Sequence, residues 1–105
     1  MIALVLAAAI ANVSPAAPHD MMVMGIGYHS CATWTETPDK FSEGEAWIYG
    51  YWTGLNQAGP RRDVGSATDS PGIIAEIRKL CEATPSASLM NMTYQVYTTL
   101  RLQGR

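Results

Sequence analysis

The chain has 105 residues, 48% of them hydrophobic and only 15% charged, with a formal net charge of -2. That length sets one domain, and the apolar content is too high for a disordered chain. The positive residues are few and scattered, with Arg61-Arg62 the only arginine pair, so no nucleic-acid surface is indicated.

Met1 to Ala17 reads as a secretory signal. Ile2 to Ala11 is an uninterrupted apolar run, and small residues with one proline follow it. Cleavage is expected after Ala11 or after Ala17. The alternative is a buried N-terminal helix. The run is far short of the ~20 residues that cross a bilayer. Residues 18–27 then form a flexible mature N-terminus, and 28–105 a single helical domain. Met21, Met22 and Met24 lie between His19 and His29, a pattern that soft metals such as copper use. The reading preferred for them is an apolar tail that fills a groove, and no metal site or cofactor is expected.

Cys31 and Cys81 are the two cysteines, 50 residues apart. In a small exported chain they most simply pair. Closing a loop of that length stabilises a fold by about 4 kcal/mol in the chain-entropy model. Two free buried thiols are the alternative. No C-x-x-C pair suggests zinc or redox chemistry.

Thr37-Pro38-Asp39 starts the first long helix, with Thr37 as cap and Pro38 at the first helical position. The helix runs to about Asn56. Phe41, Ile48, Trp52 and Leu55 share one face. Ala46, Trp47, Tyr49 and Tyr51 spread apolar surface beyond that face. Trp47, Tyr51 and Trp52 are therefore the candidate partner-binding residues. Gly50 and Gly54 each weaken a helix by up to ~1 kcal/mol relative to alanine. Close packing of another backbone against them is the expected reason, a bend or an early helix end the alternative. Gln57 to Ala67 is a loop, with Arg61-Arg62 as its solvated tip or an anion contact.

Thr68-Asp69-Ser70-Pro71 starts the next helix, with Asp69 or Ser70 as cap. Ile73, Ile74, Ile77, Leu80 and Cys81 form its apolar stripe, which suits a buried disulfide. Thr84-Pro85 is expected to open the last helix, with Leu89, Met92, Val96 and Leu100 inward. Gly104-Arg105 reads as a frayed tail. The whole is an all-α bundle of three main helices plus a short N-terminal helix or turn, stapled by one disulfide.

No catalytic set stands out. His19 and His29 lie near the N-terminus, and Glu43 and Glu45, two apart on a helix, point away from each other. The chain reads as a binding module rather than an enzyme.

The run Trp47-Ile48-Tyr49-Gly50-Tyr51-Trp52-Thr53-Gly54-Leu55-Asn56, set between Cys31-x-x-Trp34 and Cys81 with Pro85, resembles the small periplasmic helical proteins grouped with the HdeA/HdeB acid-stress chaperones. The similarity covers about residues 28 to 102. It implies a periplasmic, single-disulfide helical protein that holds unfolding clients in acid. Protonating the carboxylates and histidines would carry the charge from -2 to roughly +9. A second resemblance is to the Rap/Tai immunity proteins of type VI secretion, which share a Gly-Tyr-x-x-Gly helix and imply a module that binds one exported effector. Both imply a protein partner, with no nucleic acid and no membrane after signal removal. Exposed aromatics beyond one core face would favour a homodimer.

Overall fold

The computed structural model describes residues 21–105. The expected signal over 1–17, with its two cleavage points, lies outside the described residues. Those described form an all-α fold: a 3-10 turn (Gly25–Tyr28), then α1 (Cys31–Trp34), α2 (Pro38–Ala58), α3 (Ser70–Ala83) and α4 (Leu89–Leu102). No helix among them is long and apolar enough to cross a membrane. Cys31 and Cys81 are joined, with their Cα atoms 5.2 Å apart. The staple ties α1 to the last turns of α3.

Local chemistry sets the helix starts. The Thr37 hydroxyl accepts from the Lys40 amide, and Pro38 follows at the first position. Between the two possible caps of α3, Asp69 is the one used: its carboxylate accepts from the Gly72 amide at 2.8 Å. At 21 residues, α2 spans about 31 Å and is the axis of the molecule. It ends at Gly59, whose amide still reaches the Leu55 carbonyl, and Pro60 cannot continue it.

Helix α4 starts later than Thr84-Pro85. Its cap is Ser88, whose hydroxyl accepts from the Asn91 amide. Residues 84–88 instead serve as a backbone strap. Ala87 and Pro85 carbonyls accept from the amides of Cys31 and Ala32, and the Leu89 amide donates to His29. These are the first-turn amides of α1, which have no partner within their own helix. A four-residue helix is unstable alone, so the strap and the disulfide hold it from two sides.

The core joins Trp34, Ile48, Trp52, Val64, Ile74, Ile77, Cys81, Leu89, Val96, Tyr97 and Leu100. The expected stripes supply most of it. Phe41, Leu55, Ile73, Leu80 and Met92 pack at its margin. Trp34 is fully enclosed, stacks on Phe41 with centroids 4.8 Å apart, and donates its indole N–H to the Phe41 carbonyl. Thr93 is also enclosed and returns its hydroxyl proton to the Leu89 carbonyl.

Two N- and C-terminal expectations change. Of the stretch 18–27 expected to be flexible, the described end forms an ordered turn in which Ile26 and Gly27 are buried against α2. The tail is tied rather than frayed. The Arg105 backbone oxygen accepts from Gly65 and Ala67, and its amide donates to Leu100. Gly104 turns the chain there with a φ of 71°, in the left-handed region glycine favours.

Candidate functional site: an apolar groove on α2

The three candidate partner-binding residues separate in the structure. Trp52 is 6% exposed. Its indole donates to the Val64 carbonyl at 2.8 Å, and its ring meets Tyr97 edge-on at 5.0 Å. It is a core residue, and the binding role expected for it is withdrawn. The reason is angular: Trp52 lies one turn from Ile48, on the inward face. Loop residues 59–67 then close over it, with the Asn56 amide also donating to Val64 and the Tyr97 hydroxyl donating to Asn56.

Trp47 and Tyr51 lie on the flank of the same helix and are half-buried. Their rings stack at a tilt, 4.9 Å between centroids. The Trp47 indole donates to the Met24 carbonyl at 2.7 Å. Gly27 makes that approach possible, because a Cβ there would overlap the Trp47 ring. The N-terminal methionines are thus brought to α2 by a hydrogen bond and a glycine contact.

Gly50 and Gly54 are also corrected. Both are exposed, and a Cβ on either would meet nothing within 4 Å. No helix among the described residues packs on them. Gly50 is two residues from both Ile48 and Trp52, about 200° around the helix from each, so it must face outward. The close approach expected at these glycines occurs at Gly44, where a Cβ would overlap the Trp34 indole. Neither the aromatic content nor the glycine spacing distinguishes these positions. The phase of the Ile48–Trp52 pair does.

Together these residues shape an open groove of about 430 Å³. Ala46, Trp47, Gly50 and Tyr51 come from α2, Met90 from α4, and Met21 to Met24 from the N-terminal segment. Met21, Met22 and Met24 are 70%, 84% and 76% exposed. Methionine adapts its shape to irregular apolar surfaces, so this wall can fit more than one ligand shape. Tyr51 is polar only at its tip. Burial, then the neighbouring Tyr94, raises its phenol above the ordinary value. The side chain therefore stays a neutral amphipathic wall at neutral pH.

The groove is lined by uncharged side chains among the described residues. None of its lining residues is an acid, a histidine or a nucleophilic cysteine. Among the described residues no cluster of three or more His, Cys, Asp or Glu could hold a metal ion. Met90 was not expected to belong with the N-terminal methionines. Met90 follows the buried Leu89 by one residue, about 100° around α4, which puts it at the edge of the core stripe, but only the fold brings it to Trp47.

No family model, curated protein or solved structure matches this chain.

Proposed function

We propose that the chain is an exported protein-binding module that takes apolar segments of other proteins into the groove formed by Trp47, Gly50, Tyr51, Met90 and the N-terminal methionines. The observation that carries this reading is the exposure of Met21, Met22 and Met24 beside the tilted Trp47–Tyr51 pair. A large open apolar surface of this kind marks a contact site more often than idle exterior. The disulfide is compatible with export to the periplasm. A binder rather than an enzyme fits the uncharged lining of the groove.

The acid-stress holdase and the single-effector inhibitor would both use this surface. They differ in what opens it. None of the eight described carboxylates is buried, and the ion pairs Lys40–Glu36, Arg61–Asp63 and Arg78–Glu82 lie at the surface. Acid therefore breaks no buried ion pair here. It acts chiefly through net charge, with exposed ion pairs adding little and the disulfide limiting expansion. The groove is open in the folded state, which favours binding at neutral pH over binding only after acid opening.

Light scattering of a chemically unfolded client tests the reading at neutral pH and at about pH 2.5. Suppression of aggregation at neutral pH, lost on Gly50→Leu, is expected. Suppression only in acid would return the function to an acid-opened chaperone. No suppression at either pH, together with no binding of an apolar peptide, would overturn the groove as a binding site.

A further inference from the structure

The groove does not stop at Met90. Tyr94 follows Met90 by one turn of α4, as Leu55 follows Tyr51 by one turn of α2, so the next residues along both helices continue its walls. Beyond it a second depression is lined by Leu55, Ala58, Gly59, Tyr94, Tyr97 and Arg101. One trough thus follows α2 and α4 from the methionines to Arg101. From Trp47 to Ala58 it is about 16 Å long. Gly50 lines the first depression and Ala58 the second, and Gly54 lies between them on the same four-residue row of α2. Rows of that spacing are the grooves into which another helix sets its side-chain ridges.

The trough is also polar in charge. From Ala46 to Arg62, and over all of α4, the chain has no Asp or Glu. Arg101 stands at the far end with no ion-pair partner among the described residues. Arg61 lies toward the same end, but its guanidinium is already paired with Asp63 at 3.0 Å, so Arg101 carries the unpaired charge there. The surface is thus cationic at one end, in a protein whose net charge is -2. A ligand that fits must be apolar along the trough and negative beside Arg101.

We propose that the trough between α2 and α4 docks an amphipathic helix of a partner protein, apolar along one face and acidic at the end that lies beside Arg101. This rests on the protein-binding reading above and adds the partner's chemistry and orientation to it. The partner's apolar side chains sit between Trp47, Tyr51 and the methionines, its backbone passes over Gly50 and Gly54, and its carboxylates face Arg101. Charge at the rim of an apolar interface selects among partners more than it adds affinity. This end of the trough therefore favours a defined partner over indiscriminate holding.

Two labelled amphipathic peptides of about 14 residues, long enough to span the trough, provide the test. They share their apolar residues and differ in one terminal run, glutamate in one and lysine in the other. Fluorescence anisotropy should show the glutamate peptide binding roughly fivefold or more tightly at low salt, with the gap closing as salt is raised. Arg101→Glu should reverse the preference, and Arg101→Lys should keep it, both with unchanged helix content by circular dichroism. Equal binding of the two peptides, or no change in preference with Arg101→Glu, would overturn the acidic-partner proposal while leaving apolar binding intact. Binding of neither peptide would remove both readings.

Discussion

Trp47 and Trp52 lie five residues apart on one helix, and each donates its indole N–H to a backbone carbonyl. Their surroundings differ. Trp52 meets Val64, Tyr97 and a loop that seals it from water. Trp47 meets Met24 and Tyr51 at the edge of an open groove. The same residue type, with the same hydrogen bond, serves the core in one place and a surface in the other. What decides is the phase of the helix. Two glycines divide in the same way: Gly44 lets Trp34 in, whereas Gly54 faces open space.

Substitution should break the comparison in order of burial. Trp52→Ala should cost about 3–5 kcal/mol, the range for emptying a large aromatic site, and leave a chain that denaturant titration finds barely folded. Trp47→Ala should remain folded but lose apolar peptide binding. Gly44→Ala should cost about 1–3 kcal/mol, because the new methyl meets an enclosed indole. A Gly44→Ala variant as stable as the parent would mean that α1 does not pack where described.

Tyr97→Phe tests the polar lining of the inner region. It removes the hydroxyl that donates to Asn56, at a cost of about 1 kcal/mol. The Tyr97 phenol is raised above its ordinary value near 10, by burial first, although Arg101 and Arg61 pull it down. The folded state therefore holds this proton more tightly than the unfolded chain. Its contribution is complete below about pH 10 and is lost as the pH rises through the folded value. Stability measured against pH should show a smaller alkaline fall in Tyr97→Phe than in the parent. The smallest expected effect is at Gly54. Gly54→Ala should leave the fold intact and stabilise it by roughly 0.5–1 kcal/mol through helix propensity.

Much of the fold was legible. Thr37-Pro38 and Asp69 cap their helices by short-range bonds that sequence displays directly, and the stripe from Ile73 to Cys81 marks its own buried face. The pairing of Cys31 with Cys81 followed from their being the only two. The start of α4 was not legible, because residues 84–88 are recruited by backbone bonds to α1, which leave no side-chain signature. The site was half legible. The aromatic run was seen, but aromatics on every side of α2 hide which face is inward. The glycines misled for a related reason: a small residue signals close approach only when its face meets another element. Met90 could be joined to Met21–Met24 only by the fold.

The central claim is the proposal that the outer face of α2, left uncovered by the described residues, is filled by a partner. Gly50→Leu examines both halves at once, with denaturant stability and apolar peptide binding measured on the same preparation. The account predicts a fold as stable as the parent or up to about 1 kcal/mol more so, together with loss of binding as the leucine fills the groove. An unfolded variant, or a stable one that binds as the parent does, would contradict it.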